Sequence, residues 1–181
     1  MTLRVGLVGA GNMAATHAAG WVEAGDQVTH VLGSGSSRAA TLAGQIGAEV
    51  SPDYEAMLAA VDVVSICSPT DTHLEYIRAA AGHSIPVVCE KPLGRTPAEA
   101  WEAVAVCETA QVPLLAAHVV RFFPEYAGAR ERVLAGDLGE VAVMRLDRST
   151  HFPMRQDLWF SDHARSGGVV LDLMIHDIDY A

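Results

Sequence analysis

An apolar run from Leu3 to Val8 leads directly into Gly9-Ala10-Gly11-Asn12-Met13-Ala14. The run reads as a buried strand, and the residues from Met13 to about Ala24 as a helix. Gly9 and Gly11 allow a tight turn between them with no side chain in the way. Ala14 stands where a third glycine is common and still lets the helix pack closely on the strand. Such a turn aims unpaired N–H groups and the partial positive charge of a helix N-terminus at one point, a cradle for a diphosphate. The competing reading, an ordinary glycine turn, is weakened by the strand before it and the helix after it.

Strand and helix signals then alternate. Gln27–Leu32, Ala48–Val50, Val63–Cys67, Pro86–Glu90 and Leu114–His118 read as strands. Between them, helices are expected from Ser36 or Ser37 to Ile46, from Pro52-Asp53 to about Ala60, from a Thr72 cap to about Ala81, and from Pro97 to about Ala110. Strands without polar alternation, separated by helices, indicate an α/β chain with a doubly wound parallel sheet of the Rossmann type. Ligands on such sheets bind beyond the carboxyl ends of the strands. Four strand ends therefore define one rim: Gly9-Ala10-Gly11, Gly33-Ser34, Ser68-Pro69-Thr70 and Glu90-Lys91-Pro92. Past His118 the pattern changes. A connector runs to Pro124, a helix follows to about Leu134, Val141–Ser149 alternates like a half-exposed strand, Pro153–Gly168 is loop-like, and Val169–Tyr180 is helical. Residues 1–120 thus read as a dinucleotide-binding domain, and 121–181 as the beginning of a truncated α+β second domain.

Half of the 181 residues are hydrophobic, enough to bury a core, and 12 basic against 22 acidic residues leave a formal charge of −10. That balance argues against a nucleic-acid partner, which draws on clustered Lys and Arg. Cys67, Cys89 and Cys107 form no C-x-x-C pair, so neither a disulfide framework nor a zinc pattern is expected. Buried, reduced thiols fit a cytoplasmic location. No apolar run is long enough to span a bilayer, so no membrane partner is expected. The turn glycines between Val5 and Val22 set that stretch apart from a signal peptide.

Three places can carry chemistry. Pro92 holds Lys91 extended at a strand exit, where its amine can bond a substrate hydroxyl and stabilise alkoxide charge. A plain surface lysine is the alternative. Asp172 and His176 are four apart on one helix and share a face, so a carboxylate could orient an imidazole acid/base. The alternatives are a pair that only supports the helix, or a metal site for which no third and fourth ligand converge; no metal is expected. His73, after Ser68-Pro69-Thr70, either caps its helix or lines the cleft.

Taken together these residues resemble the Gfo/Idh/MocA family (glucose–fructose oxidoreductase, inositol dehydrogenase and rhizopine catabolism). The resemblance covers nearly the whole chain. It rests on the glycine turn, on Ser68-Pro69-Thr70 with His73, on Glu90-Lys91-Pro92, on Arg121-Phe122-Phe123-Pro124, and on Gly167-Gly168 through Asp172 to His176-Asp177. It implies a nicotinamide-dependent dehydrogenase or reductase acting on sugars, polyols or related small molecules. It makes Lys91, Asp172 and His176 the catalytic set, with His176 exchanging the proton of the substrate oxygen. Cofactor contacts are then expected from Gly9, Ala10, Gly11, Asn12, Met13, Ser34, Ser36, Ser37, Arg38, Ser68, Pro69, Thr70, His73, Glu90 and Lys91. An acidic residue about 20 positions after the glycine turn normally takes the ribose hydroxyls of NAD. Here strand two is followed by Gly33-Ser34-Gly35-Ser36-Ser37-Arg38, which suits a 2′-phosphate, so NADP(H) is expected over NAD(H). The resemblance also implies a longer chain whose second-domain sheet floors the substrate site and often joins subunits, so a homo-oligomer is expected. Either this is a piece of a longer enzyme or partners cover the gap. A non-catalytic dinucleotide-binding module is the alternative function. A nucleotide-sugar or methyl-donor binding protein on the same fold is a third reading.

Overall fold

The computed structural model describes residues 1–35, 37–149 and 159–181. Six parallel strands form one sheet: β1 (Arg4–Val8), β2 (Gln27–Leu32), β3 (Glu49–Val50), β4 (Val63–Ile66), β5 (Val87–Glu90) and β6 (Leu114–Ala117). Their order is β3-β2-β1-β4-β5-β6. The chain direction across the sheet reverses between β1 and β4, and the crevice beyond that point is where such sheets bind ligands.

Helices cover both faces. α1 (Asn12–Glu23) and α2 (Ser37–Ile46) pack on one face; α3 (Tyr54–Leu58), α4 (His73–Gly82) and α5 (Pro97–Ala110) pack on the other. Strand alternation decides which side chains meet which helices. Val5, Leu7, Val28 and Val31 pack with Ala14, Ala18 and Leu42 on the α1 face. Val64, Ile66, Val87 and Cys89 pack with Met57, Ile77, Ala80 and Ala103 on the other. Each fully buried Leu, Ile or Met side chain contributes roughly 1.5–3 kcal/mol. Local signals agree: the Asp53 carboxylate accepts from Ala56 N–H at 2.8 Å, and Thr96 Oγ1 accepts from Glu99 N–H at 3.2 Å, so both helix starts are capped.

The last third differs from the sequence reading in three respects. Val119–Phe122 is a 3₁₀ turn rather than an irregular connector, and α6 (Pro124–Leu134) follows it. The alternating stretch 141–149 joins no strand, because among the described residues no neighbouring strand supplies the ladder that alternation alone cannot. Part of the expected loop is helical: Trp159–Ser161 forms a 3₁₀ turn and α7 spans His163–Ser166, capped by the Asp162 carboxylate on Ala164 N–H at 2.9 Å. The expected loop residues 153–158 lie outside the described residues. α8 (Val169–Tyr180) closes the chain as expected.

Candidate active site

The rim of the sheet surrounds a cleft of about 760 Å³, within the usual range of roughly 300–1,000 Å³ for a small-molecule site. Its walls include Gly9, Ala10, Gly11, Asn12, Met13, Ser34, Arg38, Ser68, Pro69, Thr70, His73, Glu90, Lys91, Asp172 and His176. Of the expected site residues, Ser37 opens α2 without lining the cleft, and Ser36 lies outside the described residues.

The glycine turn fits a diphosphate. Gly9 has φ +108°, and a Cβ there would lie 2.6 Å from the Cys67 carbonyl oxygen, so only glycine fits. Its N–H donates to Leu32 O at 2.8 Å, which locks the turn to β2. Gly11 is the N-cap of α1 and carries no side-chain cap, and a Cβ there would meet nothing within 4 Å. The start of a twelve-residue helix therefore lies with open space beside Gly11 at the mouth of the cleft.

Lys91 stands at the end of β5, before a cis peptide bond to Pro92. Its ammonium donates to Asp172 Oδ1 at 2.9 Å and to the Asp172 carbonyl at 2.6 Å. The pair is only 14 % and 24 % exposed, so the contact is better shielded than a surface ion pair. Gly167, before α8, has φ +76°, and a Cβ there would lie 2.5 Å from Leu171 Cδ2 and 3.1 Å from Arg95 O, so the chain passes close to Arg95 only as glycine.

Asp172 does not orient His176, contrary to the expectation from their spacing, because Lys91 takes the carboxylate. The Nδ1 of His176 is buried with no hydrogen-bond partner. Burial, then the charges of Lys91, Arg148 and His118, hold its pKa below the ordinary histidine value. The imidazole is thus held toward its neutral form in the cleft wall, and its unpaired Nδ1 is an unsatisfied buried group.

His73 lies in the cleft wall, and its ring caps no helix. Its ring nitrogens sit 2.9 Å from Pro92 O and 2.9 Å from Ser68 O, tying the rim loop after β5 to the one after β4. Burial lowers its pKa, and a neutral ring can donate to one of those carbonyls at a time. Thr72 precedes α4 without capping it; its hydroxyl donates to Pro69 O at 2.7 Å instead.

Sequence reasoning missed Tyr76, Trp159, Phe160 and Arg165, which also line the cleft. Arg165 Nε donates to Asp71 Oδ2 at 2.9 Å, fastening α7 across the cleft to the β4 rim. No spacing rule links residues 94 positions apart, so no local signal could have found this pair. Among the described residues no group of three or more His, Cys, Asp or Glu converges as a metal site, and no helix is long and apolar enough to cross a membrane. Burial pushes the Cys67 thiol up to about 12 and that of Cys89 well above its usual value, which leaves both inert as nucleophiles.

Fold and cleft together define a dinucleotide-binding Rossmann protein with a Lys–Asp pair and a neutral histidine at the rim. The chain matches the family described as "Oxidoreductase family, NAD-binding Rossmann fold" over residues 3–118, and a "GFO/IDH/MocA C-terminal domain" over residues 126–181. It belongs to the Gfo/Idh/MocA oxidoreductase family. It is 31 % identical over 183 residues to inositol 2-dehydrogenase of Rhizobium meliloti, covering 100 % of this chain and 54 % of the relative. It is 36 % identical over 189 residues to D-glucoside 3-dehydrogenase of Escherichia coli, covering 99 % and 53 %. A third relative is D-xylose 1-dehydrogenase (NADP(+)) 2 of Haloferax volcanii, 34 % identical over 148 residues, covering 80 % and 45 %. The crystal structure of myo-inositol 2-dehydrogenase from Lactobacillus plantarum superposes with a TM-score of 0.84 at 26 % identity, over 99 % of this chain and 55 % of that one. The chain therefore spans about half the length of the relatives it matches.

Proposed function

We propose that this chain carries the cofactor half and the catalytic side chains of an NADP(H)-dependent oxidoreductase that moves a hydride between nicotinamide and a secondary alcohol or carbonyl of a sugar or polyol. The observation that carries this reading is the convergence of Lys91, Asp172 and His176 on the cleft that the glycine turn opens. The names of the relatives, all sugar or polyol dehydrogenases, support the substrate class. Bound nicotinamide would supply the hydride donor or acceptor. The Gly11–Met13 segment would hold the diphosphate, with Ser34 and Arg38 near the adenosine ribose. Neutral His176 would take or give the proton of the reacting oxygen, and Lys91 would stabilise charge on that oxygen. Asp172 would keep the ammonium aimed into the cleft.

Support for NADP(H) comes from the end of β2, where Gly33-Ser34-Gly35 stands in place of an acidic residue and Arg38 lines the cleft. The expected division near residue 120 is supported by family matches that end at 118 and resume at 126. Apolar side chains exposed on α8, among them Val169, Val170 and Ile178, favour assembly into a homo-oligomer, and inert buried thiols favour a reducing cytoplasm. The same exposed face favours a second reading, a dinucleotide-binding module without turnover.

Nicotinamide fluorescence and a 340 nm screen of sugars and polyols test these readings. NADPH should bind, and Arg38→Ala should weaken it about tenfold with little effect on NADH, the loss of one charge-assisted contact. Lys91→Ala should lower turnover by about 10²–10³-fold, as loss of one group that stabilises charge on the reacting oxygen does, with NADPH affinity unchanged. Binding without turnover in the wild type selects the module, and no binding of either dinucleotide removes both readings.

A further inference from the structure

A serine in the middle of a central parallel strand needs a reason. Ser65 of β4 is fully buried, pairs with Leu7 of β1 and Val88 of β5, and faces α1. An unpaired hydroxyl there would cost about 1–3 kcal/mol. It is not unpaired: Ser65 Oγ lies 2.8 Å from His17 Nδ1 on α1. Glu90 stands two residues after Val88, so its side chain emerges on the same face. The other ring nitrogen of His17 lies 3.0 Å from Glu90 Oε1. The remaining oxygen, Glu90 Oε2, accepts the backbone N–H of Lys91 at 3.1 Å. A continuous polar chain thus runs under the sheet from Ser65 through His17 and Glu90 to Lys91.

The electrostatics explain what this chain does. Glu90 is mostly buried, which alone would raise its pKa, yet its hydrogen bond with His17 and the charges around it leave the carboxylate below its ordinary value. It is therefore an anion one residue from an ammonium. The groups that face Lys91 are Asp172 and His176 of α8, His118 after β6, and Glu90 itself. Two carboxylates can compete for one cation. Here Glu90 spends one oxygen on His17 and the other on the main chain, so the ammonium goes to Asp172 and the cleft.

We propose that His17 is a positioning residue: it holds the Glu90 carboxylate on the Lys91 backbone and away from the Lys91 amine, so that the amine projects into the cleft. The consequence for hydride transfer rests on the function proposed above; the positioning itself does not. The same helix that begins at the diphosphate cradle thereby aims the catalytic lysine.

Lys91 is the only lysine in the chain, so acylation by an amine reagent, read by peptide mass at residue 91 apart from the N-terminal amine, reports on this amine alone. In His17→Ala, the freed Glu90 should turn to the ammonium and slow acylation about threefold or more, since an added carboxylate disfavours the reactive neutral amine. A merely structural defect would expose the amine and speed the reaction. His17→Gln, whose amide can still donate to Glu90, should react at the wild-type rate. Adding Glu90→Gln to His17→Ala should abolish the slowing. If His17→Ala fails to fold, Ser65→Ala tests the same tie by loosening the ring, and should slow acylation in the same direction. An unchanged or faster rate in His17→Ala or Ser65→Ala, or slowing that persists in His17→Gln, overturns the proposal. NADPH titration of the wild type is run beside it; failure to bind would end the functional reading and leave the positioning result standing.

Discussion

The sheet half and the segment after β6 are held by different forces. Between β1 and β6 the two faces bury apolar side chains from five helices. Beyond Ala117, among the described residues, Val120 is the one large apolar side chain that is buried, while Val169, Val170, Met174 and Ile178 of α8 are exposed. What fastens that segment is polar. Arg121 Nε donates to Asp179 at 2.8 Å, Arg148 pairs with Asp177 at 2.8 Å, Arg165 with Asp71, and Lys91 with Asp172. Tyr180 adds a hydroxyl bond to Tyr126 O at 2.8 Å. Apolar burial has no charge to screen or titrate, whereas ion pairs respond to both salt and pH. The glycine turn thus sits on a robust platform, and the helix bearing Asp172 and His176 on an adjustable one.

The largest expected effect tests the platform. Ile77 is fully buried against both the sheet and α5, so Ile77→Ala should cost about 2–5 kcal/mol in denaturant unfolding. Met174, on the exposed face of α8, should tolerate alanine within about 0.5 kcal/mol. Equal costs at the two positions would break the contrast.

Acid should separate the regions in two stages. His73, His118 and His176 all have folded pKa values lowered chiefly by burial. For each, the unfolded chain binds the proton more readily, so stability falls as pH drops below about 6.5. This first stage touches both regions, since His73 belongs to the sheet half. Asp177 and Asp179 are held below the usual carboxylate range, first of all by hydrogen bonds from Arg148 and Arg121. Their contribution is complete above the unfolded value near 3.9 and is lost as pH falls through the lower folded values. Asp62 is likewise held down, to about 2, by hydrogen bonds from Arg4 of β1, but there the apolar core remains. Hydrogen exchange should therefore show α8 losing protection again below about pH 3.9, before β1 and β4 do. Simultaneous loss in that lower window would show that the two regions unfold as one.

What was legible in the sequence follows the same division. Gly9 and Gly11, the apolar strands and the Glu90-Lys91-Pro92 exit announce themselves locally, because strand alternation, turn geometry and proline restriction act between near neighbours. The sheet and most of the cleft wall could be read from them. The Asp172–His176 spacing placed both residues on one helix, and both line the cleft. It gave the wrong partner, because spacing carries no information about Lys91, 81 positions away. His17 was overlooked for the same reason: it lies 48 residues from Ser65 and 73 from Glu90, and only the strand register brings them together. The one available clue was a serine inside the apolar run Val63-Val64-Ser65-Ile66, a buried polar group that required a partner. The misread strand at 141–149 is the converse case. Alternation describes a surface on which a strand could pair, and the described residues contain no neighbour for it.

The smallest effect sharpens the comparison most. Arg165 and Asp71 join α7 to the β4 rim at 2.9 Å, with the arginine side chain 40 % exposed. An ion pair that open to water is worth roughly 0.2–1 kcal/mol. Arg165→Ala should leave the global unfolding midpoint nearly unchanged, because the apolar core does not depend on α7. Exchange at residues 163–168 should nonetheless quicken by about fivefold, the local equivalent of 1 kcal/mol, and 1 M salt should produce a similar change in the wild type by screening the same pair. A large global loss in Arg165→Ala would mean that the polar segment stabilises the sheet as well as resting on it. The platform and α8 would then form one cooperative unit, and the adjustable character assigned to α8 would have to be abandoned.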